Sequence, residues 1–235
     1  MESISRLVQL AQWAKRGGCD AEAVRQQLST EALLAGFASV SNVTGRIVLE
    51  VVINPGCIQR HKAALRQVIM MDLVIPELDR QARRLHDACV RLQMHDAAAQ
   101  WSRRGLTSEQ QRAKRKAEEH LHAVRSETWP RNTVEHLPRL VHAILSELSE
   151  LRPCPSCCDD SDSAGREQRA LCRTCAGLGV KTWCDRHRAQ SIHCDHAGYS
   201  RRWKVVYEWI YIQLLHAMRD ASKQFFNRLA HHECD

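Results

Sequence analysis

A long amphipathic segment near the C-terminal end of the chain, residues 203–229, reads WKVVYEWIYIQLLHAMRDASKQFFNRL. Its apolar residues return every three or four positions, which is the spacing of one face of an α-helix. Residues 137–148, LPRLVHAILSEL, repeat the same pattern. Glycine and proline are scarce, at 10 and 6 of 235 residues, and this also favours helices. We therefore predict a mainly α protein in which these two amphipathic helices pack together.

The segment between these helices, residues 152–202, contains two C-x-x-C pairs separated by fourteen residues. Four thiolates at this spacing can hold one tetrahedral zinc ion. The predicted ligands are Cys154, Cys157, Cys172 and Cys175. Disulfides, or buried thiols that bind nothing, are the alternatives. Because the segment has few apolar residues, we expect this zinc-binding insertion to need its metal in order to fold.

A second group of residues that can ligate metal follows the second cysteine pair. Its members are Cys184, His187, His193, Cys194 and His196. They form a C-x-x-H pair followed by an H-C-x-H run, so the four successive pairs could hold two zinc ions, with the pairs assigned to the ions either sequentially or in interleaved order. The alternative is that these histidines lie on the surface of a basic loop. The sequence thus predicts one zinc ion and leaves a second one open.

The chain divides into two predicted regions near Thr128-Trp-Pro-Arg131. Residues 1–130 form a mostly helical N-terminal region, and residues 131–235 form a helical domain that carries the insertion. Within the N-terminal region, residues 108–125 predict a basic helix with a cap at its start.

Residues 37–53 of the N-terminal region have a different character. They are rich in β-branched valine and isoleucine, and Asn42 and Gly45 are typical turn residues. β-Branched residues on both sides of such a turn are typical of two antiparallel strands. We therefore expect a small β-hairpin at residues 37–53.

Charge and hydropathy limit the class of protein. The net charge is +7, and no stretch of about eighteen apolar residues is present that would span a membrane. No signal-peptide pattern is visible either, so we expect a cytoplasmic protein with no membrane partner. Disulfides rarely persist in that compartment, and eleven cysteines there favour metal binding.

The positive charge is concentrated in two segments. Residues 101–125 hold seven basic against three acidic residues, and residues 152–204 hold ten against six. Two basic segments suggest a polyanionic partner, most often nucleic acid. A solvated face that binds nothing is the alternative.

Three features of the C-terminal region resemble one known family. They are the knuckle Cys172-Arg-Thr-Cys175-Ala-Gly177-Leu-Gly179, the string Gly198-Tyr-Ser-Arg201, and the aromatic closing helix from Trp203. Over residues 131–235 the chain resembles the lambda-type phage late-gene antitermination proteins, the Q proteins. It differs from them at two points. The first cysteine pair lacks the glycines that follow the knuckle cysteines, and the later pairs are partly histidine.

This resemblance implies a function without covalent chemistry. Proteins of the family bind double-stranded DNA in a late promoter, engage the host RNA polymerase, and let it read through terminators. The zinc would act as a structural clip that positions basic side chains against phosphates and bases. The candidate DNA contacts are Arg186, Arg188, Arg201, Arg202 and Lys204, with a second set of Arg112, Lys114, Arg115 and Lys116.

Two other functions remain open at the level of sequence. The knuckle also occurs in DnaJ-type zinc modules, which bind proteins instead of DNA. A metal-dependent nuclease could use the histidines of residues 184–196 together with Asp185 and Asp195. We see no phosphate-binding glycine loop and no H-E-x-x-H motif, and therefore expect no enzyme.

Overall fold

The computed structural model describes residues 30–102, 105–150, 152–154, 172, 175 and 180–231. Of these residues, 84% are helical, which confirms the mainly α prediction. The helices are α1 (Thr30–Ala38), α2 (Val43–Ile53), α3 (Ile58–Val68), α4 (Ile75–Trp101), α5 (Ser108–Glu127), α6 (Thr133–Ser149), α7 (Asp185–Ser191) and α8 (Lys204–His231). Two-residue strands β1 (Arg152–Pro153) and β2 (Val180–Lys181) lie between α6 and α7.

Four shorter helical segments of the described chain lie between these helices, one of them the single turn His196–Gly198. A 3-10 turn, Pro55–Cys57, connects α2 to α3, and a π-helical turn, Ile69–Val74, connects α3 to α4. A second π-helical turn, Tyr199–Trp203, leads directly into α8. Such π-helical turns are rare and are often found at functional sites.

The chain forms two compact units. The first unit takes in residues up to 68 and from 136 onward, and the second comprises residues 69–135. The first unit therefore combines residues from both sides of the predicted boundary at residue 130.

The β-hairpin that we expected at residues 37–53 is wrong, because most of this segment is helix α2. Asn42 does not make a hairpin turn but caps the helix, and its side chain accepts a hydrogen bond from the Gly45 N–H at 3.0 Å. Val48 and Val51 on α2 are fully buried. Placing valine instead of alanine in a helix costs roughly a few tenths of a kcal/mol, whereas burying each valine side chain contributes about 1.5–3 kcal/mol. Burial therefore decides the structure of this segment.

Helix α2 packs closely against α8, and Gly45 makes this approach possible. A Cβ atom at Gly45 would meet the backbone oxygen of Ala217 and would lie 2.9 Å from the Cβ of Ala221. Neither neighbour can rotate away, since one is backbone and the other is a methyl group on α8. The glycine that looked like a turn residue is thus a helix-contact residue.

Helix α8 is the central element of the first unit. It also packs against α1, and Tyr207 near its N-terminal end bonds to Glu147 on α6. The Tyr207 hydroxyl donates to Glu147 at 2.8 Å, and just before α8 the ring centroid of Trp203 lies 4.5 Å from that of His136 on α6. The two helices recognised from their apolar spacing are therefore in contact, as predicted.

The second unit is an antiparallel pair of helices, α4 and α5. Ala88, Leu121 and Val124 form its small buried core. Helix α5 begins with a capping box in which Thr107 and Gln110 bond to each other's backbone N–H groups. The predicted basic helix at residues 108–125 is therefore confirmed, two residues longer at its end.

Candidate metal centre

The short ladder between β1 and β2 brings together the two ends of the long connection that follows α6. Arg152 pairs with Lys181, and Pro153 pairs with Val180, in antiparallel register. Cys154 comes directly after β1, and Cys175 lies five residues before β2. The ladder therefore places one cysteine from each predicted pair near the base of the same connection.

Three of the four predicted zinc ligands meet at this point. We call Cys154, Cys172 and Cys175 the cysteine cluster, and their sulfur atoms all lie within 4.8 Å of one another. Cys154 and Cys175 are buried, and Cys172 is half-buried. Cys157 lies outside the described residues, so its part in the site stays a prediction.

The sulfur separation suits a shared ion. The Sγ atoms of Cys154 and Cys172 are 3.9 Å apart. Bonds of about 2.3 Å to a tetrahedral zinc ion put two sulfurs about 3.8 Å apart, whereas a disulfide requires about 2.05 Å. The three thiols are therefore close enough to hold a metal ion, and the two sulfurs are too far apart for a disulfide.

The predicted second metal site is not assembled. Within the described ranges, the clusters of three or more side chains close enough to share an ion include none of Cys184, His187, His193, Cys194 and His196. A second zinc ion held by these residues, and a nuclease centre built on them, therefore find no support in the structure.

Each of these residues has a different environment. His187 is exposed and stacks on the Trp183 ring, with centroids 4.0 Å apart. Burial, together with the charge of Asp195, raises the pKa of Cys194 above its ordinary value. Cys184 and His196 are exposed, at the start of α7 and in the short turn before Tyr199.

His193 ends helix α7. Its φ of 57° is the left-handed conformation, and its N–H donates to the Gln190 carbonyl at 3.0 Å. The next N–H, of Cys194, donates to the Ala189 carbonyl at 3.0 Å. This pair of bonds is a Schellman motif, in which glycine is the usual residue at the left-handed position.

A buried carboxylate that sequence reasoning missed holds the surrounding elements together. Glu147 on α6 has a side chain only 1% exposed. It accepts hydrogen bonds from Arg188 at 2.6 and 2.9 Å, from the Trp183 N–H at 2.8 Å, and from Tyr207 at 2.8 Å. We call these four residues the Glu147 cluster. The only signal in the sequence was an acidic residue within the apolar stripe of residues 137–148.

Arg188 belongs to this cluster and not to the surface. Its guanidinium lies over the rings of Tyr207 and Tyr211, at 4.9 and 5.2 Å from their centroids. Burial works against its charge, but the hydrogen bonds and charge of Glu147 raise the pKa of Arg188 above its usual range. Our prediction of Arg188 as a DNA contact is therefore wrong, because the core occupies its donors.

The other basic candidates differ in their availability. Arg186, Arg201 and Arg202 are exposed, the last two on the π-helical turn before α8. Lys204 pairs with Asp185 at 2.7 Å, and this hydrogen bond raises the pKa of Lys204.

The second basic set lies on α5. Lys114 pairs with Asp96 at 2.7 Å, and this hydrogen bond raises the pKa of Lys114. The Arg112 Nε donates to the Ser108 carbonyl at 3.3 Å. Arg115 and Lys116 are exposed. Of the four, the last two present their charges most directly to solvent.

A different group of ligating side chains meets between α2 and α3. Glu50, Cys57 and His61, which we call the Glu50 cluster, also have ligand atoms within 4.8 Å of one another. The sequence offered only a weak signal for it, a cysteine and a histidine four residues apart.

Comparisons with known proteins do not place this chain in a family. No protein-family model matches the chain, and no curated protein or solved structure matches it either. None of the helices in the described ranges combines the length and the apolarity needed to cross a membrane.

Proposed function

We propose that this protein is a zinc-stabilised DNA-binding factor that acts in transcription antitermination, by binding promoter DNA and host RNA polymerase. The observation that carries the proposal is the cysteine cluster, in which cysteines from two distant C-x-x-C pairs converge. Zinc is the ion that such thiol sets usually hold in cytosolic proteins. Its role would be structural, since four sulfur ligands leave no position for water.

The Glu147 cluster supports the second part of the proposal. It joins α6, the segment after β2, α7 and α8 through one carboxylate. Arg186 on α7, and Arg201 and Arg202 before α8, are therefore carried by elements fixed to the core. A rigid support of this kind lowers the entropy lost when side chains bind a ligand.

The chemistry of the exposed arginines suits DNA. A guanidinium can donate two parallel hydrogen bonds to a phosphate or to the edge of a guanine. Arg201 and Arg202 are adjacent on the π-helical turn, with exposed side chains. We propose these two, with Arg186, as the principal DNA contacts, and Arg115 and Lys116 as secondary ones.

The decisive experiment is transcription read-through with purified host polymerase on a late-promoter template ending in a terminator. We expect read-through with the protein and none without it, and loss of read-through with the Arg201→Glu/Arg202→Glu variant. The matched control is Arg83→Glu/Arg91→Glu, which reverses two exposed arginines on α4. Failure of the unaltered protein to promote read-through on its cognate template would overturn the proposal.

Direct DNA binding separates this function from a protein-binding zinc module. Each phosphate contact contributes about 0.9 to the slope of log affinity against log salt, so loss of two contacts should lower that slope by about 2. Binding to a duplex fragment at several salt concentrations measures this slope. Binding that ignores salt, or no binding at all, would favour the protein-binding module.

A further inference from the structure

The Glu50 cluster brings three kinds of ligand atom together on the first unit. Glu50 lies in the last turn of α2, Cys57 ends the 3-10 turn, and His61 lies in the first turn of α3. One carboxylate oxygen, one sulfur and one imidazole nitrogen are all within 4.8 Å of one another. These are the three side-chain donors that zinc binds most often.

The backbone between these residues holds them in place. The Asn54 N–H donates to the Glu50 carbonyl at 2.8 Å, and the Cys57 N–H donates to the Asn54 carbonyl at 3.0 Å. Pro55 begins the 3-10 turn and fixes its own φ. The three side chains therefore extend from one hydrogen-bonded segment, which consists of the end of α2, the 3-10 turn and the start of α3.

The imidazole of His61 provides a second, independent observation. Its Nε2 is shielded from solvent, and within the described chain no atom has the geometry to hydrogen bond with it. Glu50 Oε1 lies 3.1 Å away, within ion-pair distance, but its position does not meet hydrogen-bond geometry. An oxygen and a nitrogen bound to one tetrahedral zinc ion, at about 2.0–2.1 Å each, lie about 3.3 Å apart. The observed separation therefore suits two ligands of one ion, and an ion would satisfy the orphaned nitrogen.

We propose that Glu50, Cys57 and His61 form a second zinc site with three protein ligands. The ionised carboxylate and thiolate would together balance the charge of a divalent ion, and a mixed S, N and O set suits zinc among common cellular cations. The Glu50 side chain is 36% exposed and the His61 side chain 17% exposed, so the cluster lies near the protein surface. This site differs from the cysteine cluster, where a fourth protein sulfur is expected. It does not depend on the DNA-binding proposal.

The test measures zinc retained per chain after the full-length protein is loaded with Zn²⁺ and dialysed. The Cys57→Ser/His61→Gln variant should retain one zinc ion fewer than the unaltered protein. The control Cys89→Ser/His86→Gln removes one cysteine and one histidine from α4 and should retain the same amount as the unaltered protein. Equal retention by the Cys57 variant and the unaltered protein would overturn the proposal.

Two further variants keep the result interpretable. Glu50→Gln preserves shape and removes charge, and it should weaken zinc binding at least tenfold in competition with a chromophoric chelator. Unchanged affinity would mean that Glu50 and His61 form only an ion pair. Cys172→Ser should lose the ion of the cysteine cluster and keep this one. Loss of every zinc ion from Cys172→Ser would contradict a separate site.

Discussion

The cysteine cluster and the Glu147 cluster lie at neighbouring points of the chain, and they differ in the source of the positive charge that would balance their anionic side chains. In the Glu147 cluster a buried carboxylate receives its cation, Arg188, from the protein itself, together with hydrogen bonds from the Trp183 backbone N–H and the Tyr207 hydroxyl. The cysteine cluster brings together side chains that bind metal as anions, and in our proposal the positive charge comes from a zinc ion. The comparison predicts that the Glu147 cluster forms when the chain folds, whereas local order around the cysteine cluster depends on the metal.

The largest expected effect follows from removing the ion. Cys172→Ser should abolish zinc binding at the cysteine cluster and make the connection between β1 and β2 sensitive to protease, because structural zinc contributes about 10 kcal/mol or more of local folding free energy. Limited proteolysis with mass mapping measures this. Cys89→Ser serves as the control, since Cys89 packs beside the core of the second unit. An unchanged digestion pattern would refute a structural metal at this point.

The next effect in size concerns the Glu147 cluster. Glu147→Gln leaves the Arg188 cation buried without its counter-charge, and this should cost about 3 kcal/mol or more of unfolding free energy. Urea denaturation gives the value, with Glu150→Gln as the matched control. Among the described residues, the exposed Glu150 carboxylate accepts one hydrogen bond, from Trp183 Nε1 at 3.2 Å, so its loss should change stability by less than about 0.5 kcal/mol. Equal losses of unfolding free energy in the two variants would mean that Glu147 stabilises the protein no more than the exposed Glu150 does.

The smallest expected effect distinguishes a helix cap from a metal ligand. His193→Gly should stabilise the protein by about 0.5 kcal/mol, because a left-handed backbone strains a histidine but not a glycine. Thermal unfolding measures the gain. The zinc content should stay the same. Loss of one zinc ion per chain would restore His193 to the set of metal ligands.

Apolar periodicity predicted the helices whose buried face is visible in their own sequence. It placed α6 and α8 correctly and found the contact between them, and the capping signal placed the start of α5. It failed at residues 37–53, where valine and isoleucine mimic a strand. Only the partner surface on α8, which is distant in sequence, shows that these residues are buried in a helix.

The part of the candidate site that is encoded in short cysteine spacings was predictable from the sequence. The C-x-x-C pairs identified three residues that meet in space. The Glu147 cluster was not predictable, because an acidic residue gains its role only when α7 delivers Arg188 to it. The same reason explains why Arg188 was taken for a surface charge: its sequence neighbours are polar, and its burial depends on Tyr207 and Tyr211.

The most direct test of a metal-held connection is X-ray absorption at the zinc edge, made on the full-length Cys57→Ser/His61→Gln variant so that the Glu50 cluster does not contribute. The account predicts one zinc ion per chain with four sulfur neighbours at about 2.3 Å. A spectrum with only nitrogen and oxygen neighbours, or a well-ordered protein without zinc, would contradict it.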